Sequence, residues 1–129
     1  VQLSVNANLN TEKIYKLGEK LAKLREKGYL IVGSGNIVHN LRKIEWDNPK
    51  GTQEADRFDR YILENISKRE DEKVIKYEEH EYSNYAVPTP DHFMPILYIL
   101  GASQGEKPYI FNEVRELGSL SMTSYVFGL

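Results

Sequence analysis

A strand pattern, an amphipathic helix and a second strand pattern open the chain, and this order limits the fold more than any other feature. "VQLSV" puts Val1, Leu3 and Val5 on one side of an extended segment, the period-two signature of a half-buried strand. "TEKIYKLGEKLAKLREKG" then spaces Ile14, Leu17, Leu21 and Leu24 as a helix face, with Lys and Glu opposite and Gly28 as a C-terminal stop. "YLIV" (29–32) is short and wholly apolar, as strands covered on both faces are. The pattern predicts a βαβ unit with a right-handed crossover. The fold class that follows is α/β, a mostly parallel or mixed sheet flanked by helices in three αβα layers. The chain begins without Met and already inside a strand pattern. We therefore expect one domain over 1–129 that is an incomplete part of a larger one.

Further along, Ile37, Leu41 and Ile44 supply a second helical stripe that Ser34 or Asn36 would cap. "EWDNPKGT" is a turn, and 53–68 predicts a helix with Ala55, Phe58, Ile62 and Ile66 on one face. The charged run 68–81 reads as a short surface helix. "SNYAVPTPD" is extended, because Pro88 and Pro90 disfavour helix before them. "HFMPILYILGA" predicts a buried helix ending at Gly101, with Pro95 in its first turn or kinking it. Strands are expected in "PYIFNEV" and "SLSMTSYVF".

Composition narrows the partners. With 17 Lys and Arg intermixed with 19 Asp and Glu, the formal charge is −2. No basic block tracks a phosphate backbone, which argues against nucleic acid. There are no cysteines, so disulfides, thiolate metal sites and cysteine nucleophiles are excluded, and a cytoplasmic location is expected. No apolar stretch has the length of a membrane span.

In open α/β sheets, sites form at the carboxyl ends of strands, and "GSGN" (33–36) stands there. It lacks the G-x-G-x-x-G pattern, so a tight turn is the simpler reading. Ser34 lacks a G-x-S-x-G setting. Of the three histidines, His80 lies in a charge run and reads as solvated. His39 and His92 each fall where a helix is expected to begin, and partial positive charge there favours the neutral imidazole that a base or metal ligand must be. They are too far apart in sequence to be presented by one helix. From composition alone a capping or structural role outweighs a catalytic one for both, and Asp91 is most simply a helix cap.

Two longer stretches change this balance. "LIVGSGNIVHNLR" (30–42) and "AVPTPDHFMPILYILGA" (86–102) resemble the signature segments of class III extradiol ring-cleavage dioxygenases. The similarity is to the C-terminal half of the DOPA dioxygenase-like branch of the protocatechuate 4,5-dioxygenase catalytic-subunit superfamily. "VQLSVN" and "GSLSMTSYVFG" also look like that branch. The resemblance implies a non-haem Fe(II) or Zn(II) ion, a catechol substrate and molecular oxygen. It implies His39 as the acid–base residue lying at the metal and His92 as a metal contact. Ser34, Gly35, Asn36 and Asp91 would shape the substrate pocket. The family places two further histidine ligands in its N-terminal half, which no part of this chain resembles. The N-terminal half or a partner chain would then complete the site, and an uncovered sheet edge would be shielded by it or by homo-oligomerisation. The alternative is a non-catalytic binding or regulatory relative that keeps the fold and has lost its metal. A zinc-dependent hydrolytic reading is also open at this point.

Overall fold

In a computed structural model that describes residues 1–6 and 8–129, the chain forms five α-helices and four short strands. The mixed α/β class read from the sequence therefore holds, although the sheets are small. Helix α1 (Thr11–Arg25) starts at Asn10, whose side chain accepts from the Lys13 N–H. Helix α2 (Gln53–Lys68) is capped in the same way by Thr52 and ends at Arg69 in the left-handed region. Short helices α3 (Asp71–Ile75) and α4 (Ser83–Ala86) lead to α5 (Met94–Ser103). Pro95 lies in the first turn of α5, where its missing N–H has no intrahelical partner to lose.

The core is a helical one. Ile14 of α1, Phe58, Ile62 and Ile66 of α2, Val74 of α3 and Phe93, Leu97 and Leu100 around α5 are completely buried. Helices α1 and α5 cross at two glycines. A Cβ on Gly18 would lie 2.3 Å from the Tyr98 carbonyl oxygen, and one on Gly101 would lie 2.2 Å from that of Tyr15. The backbones thus touch directly, and α1 buries Ile14, Gly18 and Ala22. The leucine stripe expected to face the core is only partly covered, with Leu24 exposed.

The strands depart from the predicted parallel crossover. Strand β1 (Pro108–Phe111) pairs antiparallel with β4 (Ser124–Phe127), and β2 (Arg115–Glu116) pairs antiparallel with β3 (Leu120–Ser121). Neither 1–5 nor 29–32 joins a ladder. The reason lies in what a strand needs: a neighbour for its amides and cover for both faces. Among the described residues the backbone of 30–32 has no hydrogen-bond partner, and Leu30 is 85% and Val32 77% exposed.

The helix expected from Ile37 also does not form, apart from a single 3-10 turn at Leu41–Lys43. Residues 38–40 are instead held between the C-terminal end of α4 and the segment 119–121. The His39 N–H donates to the Ala86 carbonyl, Asn40 N–H to that of Ser119, and Ser121 N–H to that of Val38. These tertiary pairs bury Ile37 and Val38 and leave Leu41 exposed, overriding the local helical spacing. The charged run at 68–81 is less of a surface element than its composition suggests, since Val74, Ile75 and Tyr77 are buried. Among the described residues no helix is long and apolar enough to cross a membrane.

Candidate functional site

The fold brings His39 and His92 together. Their ring centroids are 5.1 Å apart, with the planes tilted by 53°. His39 is 7% exposed and is carried by the three-way backbone pairing of 38–40. Its side-chain neighbour in sequence, Asn40, donates from Nδ2 to the Tyr85 carbonyl at 2.6 Å, and Ser119 Oγ donates to the Asn40 carbonyl at 2.7 Å. His92 ends a 3-10 turn (Pro90–His92) ahead of α5 and its side chain is more than half exposed.

Both nitrogens of the His39 ring face backbone carbonyls. Nδ1 lies 3.1 Å from the Asn36 oxygen and Nε2 lies 2.8 Å from the Thr89 oxygen. A neutral ring has one N–H and donates to only one of them, while a ring carrying both protons donates to both. Two imidazoles about 2.1 Å from a shared ion have ring centres about 5 Å apart, so the His39–His92 separation suits ligation. The directions of the His39 nitrogens do not, because neither has a lone pair aimed at open space.

Asp91 lies beside this pair, with Oδ2 3.4 Å from His92 Nε2. Hydrogen bonding from the Thr89 side chain holds its carboxyl below the ordinary value, and the two histidines add to the effect. Gly35 lies against the backbone of His92, and Asn36 N–H donates to the His92 carbonyl at 2.9 Å. The Asn36 side chain turns away to donate to the Ser121 carbonyl at 2.8 Å, so it braces the loop. Ser34 is exposed. Of the residues singled out in the sequence, His39, His92, Asp91, Gly35 and Asn36 form one cluster. Ser34 lies on the adjoining loop with no side-chain hydrogen bond among the described residues.

Two residues were missed. Thr89 supplies the acceptor for His39 Nε2, and its place between Pro88 and Pro90 fixes it as extended (φ −138°, ψ 141°). Asp59 is fully buried behind the site, where it accepts from Ser121 Oγ at 2.6 Å and Thr123 Oγ1 at 2.9 Å, with Arg115 Nε at 3.4 Å. Burial pushes its carboxyl up, against the pull of those donors. The signal was there: Asp59 follows Ala55 by four and precedes Ile62 by three, a carboxylate on the apolar face of a helix. His80, read as solvated, instead packs against Tyr61 and Phe58 at 4.6 and 5.4 Å, and partial burial lowers its pKa.

A helical core with two small antiparallel sheets and two histidine rings in contact has a match among known families. The family model for the catalytic LigB subunit of aromatic ring-opening dioxygenase matches residues 1–128. The chain belongs to that family of ring-cleaving dioxygenases. It is 38% identical to the 4,5-DOPA dioxygenase extradiol of Escherichia coli (strain K12), covering 99% of this chain and 49% of that protein. It is 32% identical to the 4,5-DOPA dioxygenase extradiol of Beta vulgaris, covering 98% of this chain and 48% of the relative. A crystal structure of an uncharacterized protein from Escherichia coli K12 superposes with a TM-score of 0.90 at 37% identity. It is covered over 53% of its length by 97% of this chain. The chain thus spans about half the length of the curated relatives it matches.

Proposed function

We propose that this chain supplies the acid–base part of an extradiol dioxygenase site that opens the ring of a DOPA-like catechol with molecular oxygen. The observation that carries the reading is the 5.1 Å approach of the His39 and His92 rings in a chain of the ring-opening dioxygenase family. The names of the relatives point to the substrate class.

The residues present do not by themselves fit the ferrous or zinc ion that the family resemblance implies. Among the described residues no three His, Cys, Asp or Glu side chains group as a metal site, and both nitrogens of His39 are occupied by carbonyls. In this reading the remaining ligands come from polypeptide outside the matched half, with His92 as this chain's contribution. What the chain's own groups do can be stated without the ion. His39 exchanges one proton between its Nε2 and a catechol hydroxyl that displaces the Thr89 carbonyl. With the Thr89 carbonyl displaced, an Nδ1–H donated to the Asn36 carbonyl leaves the lone pair on Nε2, where the proton is taken up. Asp91, held ionised, lies beside His92 Nε2 and favours an N–H there or a nearby cation. Gly35 and Asn36 keep the wall of the pocket close to His92.

One observation favours a second reading, a binding relative without a metal: the occupied nitrogens of His39 leave it a satisfied buried histidine. Oxygen uptake separates the two. The chain is co-expressed with the unmatched half of the Escherichia coli relative, loaded with ferrous ion and given a catechol. The expected result is oxygen consumption with a ring-opened product, lost in His39→Gln while the pair still co-purifies. Catechol binding without oxygen uptake would favour the second reading.

A further inference from the structure

Among the described residues, Asp59 is the one acidic residue that is fully buried. It lies on α2, and its Oδ1 accepts from Ser121 Oγ of β3 at 2.6 Å. Ser121 is itself 1% exposed and reaches the candidate site through both of its backbone groups. Its N–H donates to the Val38 carbonyl at 3.0 Å, and its carbonyl accepts from Asn36 Nδ2 at 2.8 Å. The Asn36 carbonyl lies 3.1 Å from His39 Nδ1, and the Asn36 N–H donates to the His92 carbonyl at 2.9 Å. Two residues, Ser121 and Asn36, thus link the Asp59 carboxylate to the His39 ring.

We infer that Asp59 is a positioning residue for His39, acting through Ser121 and Asn36 to fix where the imidazole stands against a bound catechol. The role rests on the acid–base function proposed for His39. Packing alone does not call for a charge between α2 and β3. An apolar side chain of similar volume would fill that space without the cost of desolvating a carboxylate. What the carboxylate adds is direction. It accepts from a hydroxyl whose own residue is hydrogen-bonded to Asn36 and Val38, on the approach to His39.

The carboxylate is itself held in orientation. Its Oδ2 accepts from Thr123 Oγ1 at 2.9 Å, and Arg115 Nε lies 3.4 Å from the same oxygen. Arg115 is the cross-strand partner of Ser121, so both strands of the β2–β3 pair reach the one acid. His39 also forms a bridge with Leu120, the residue before Ser121. A shift of β3 therefore moves the His39 backbone as well as the Asn36 carbonyl that faces its ring. A displacement of about 1 Å in a reacting group can lower a rate by about 100-fold.

Three substitutions separate this role from bulk stability. Asp59→Ala removes the acceptor, and Ser121→Ala removes the hydroxyl while leaving both backbone groups of residue 121. Asp59→Asn keeps an oxygen for Ser121, and its amide can donate to Thr123 Oγ1. Gly101→Ala, at the crossing of α1 and α5, is the control that perturbs packing away from the network.

NMR of the isotope-labelled chain and kinetics of the chain co-expressed with the unmatched half of the Escherichia coli relative test the assignment. In Asp59→Ala the Asn36 side-chain amide should exchange about tenfold faster, with the His39 ring resonances shifted. Ser121→Ala should repeat that pattern, and it decides the matter should Asp59→Ala fail to fold. Asp59→Asn should restore the natural signals, and Gly101→Ala should leave them in place. In the ferrous-loaded pair, kcat should fall by about tenfold or more in Asp59→Ala with KM within about twofold, and recover in Asp59→Asn. Unchanged His39 and Asn36 signals in Asp59→Ala and Ser121→Ala would overturn the assignment. So would an equal shift in Gly101→Ala, a failure of Asp59→Asn to restore them, or a rise in KM alone. A natural pair that takes up no oxygen counts against the proposed dioxygenase activity, and the NMR signals then decide the positioning role by themselves.

Discussion

Gly35 rests on the carbonyl of His92. The next residue's N–H donates to that oxygen at 2.9 Å, and a Cβ at position 35 would lie 2.1 Å from it. The atom in the way is backbone and cannot rotate aside. Gly35→Ala should therefore push the 33–36 loop off the Pro90–His92 turn and lower stability by about 1–3 kcal/mol. A drop in the urea midpoint with an unchanged slope would show it.

The crossing of α1 and α5 leads to a prediction that opposes simple helix propensity. Replacing an interior helical glycine with alanine ordinarily gains about 1 kcal/mol. At Gly101 the new methyl would meet the Tyr15 carbonyl at 2.2 Å. The helices must then separate along a face that buries Ile14 and Leu97. We expect Gly101→Ala to destabilise on balance by about 1–3 kcal/mol. Thermal unfolding decides the sign, and a gain in stability would refute the close crossing.

Asp59 predicts a pH dependence. Its folded carboxyl titrates above the ordinary 3.8, chiefly because burial penalises the charge. Between the unfolded value and the raised folded one, the native state binds more protons than the unfolded state. Stability due to this group therefore falls as pH rises through that window. Asp59→Asn removes the titration. The advantage of the natural chain over Asp59→Asn should shrink from about pH 3 to about pH 7, measured as the difference between urea midpoints.

Asn40 fastens the His39 segment from both sides. Its Nδ2 donates to the Tyr85 carbonyl, and its Oδ1 accepts from the Arg42 N–H at 3.1 Å. Asn40→Ala leaves the Tyr85 carbonyl without that partner in a largely buried place. The expected cost is about 1–3 kcal/mol. Amide exchange at His39, whose N–H is held by Ala86, should quicken more than that of α1.

Which parts of this structure were legible in the sequence depends on where each part finds its partners. Helices α1 and α2 carry their own caps and periodicity, so Asn10 and Thr52 mark their starts without outside help. Helix α5 was visible as an apolar run, with Pro95 in its first turn. Residues 37–44 misled because Ile37, Leu41 and Ile44 are spaced as a helix while Ala86, Ser119 and Ser121 decide their conformation from afar. "YLIV" reads as a strand, but pairing is a property of two segments, and among the described residues no segment pairs with it. The site was legible as residue types in two segments, His39 and His92. Their 5.1 Å approach depends on Gly35 and Thr89, whose contributions are made through backbone atoms. Asp59 escaped because a lone acid among basic neighbours looks like surface until its helical register is counted.

The buried contact of Asp59 with Ser121 and Thr123 has an evolutionary consequence. The two hydroxyl oxygens also lie 3.0 Å apart, so each hydroxyl has its one proton to give either to the carboxylate or to its neighbour. A lineage that lost the carboxylate would strand two buried hydroxyls, and one that lost a hydroxyl would leave a costlier acid behind. Drift at these positions is therefore expected to be concerted. Across diverging descendants of this fold, 59, 121 and 123 should be inherited or exchanged as a set, at a different tempo from the exposed residues beside them.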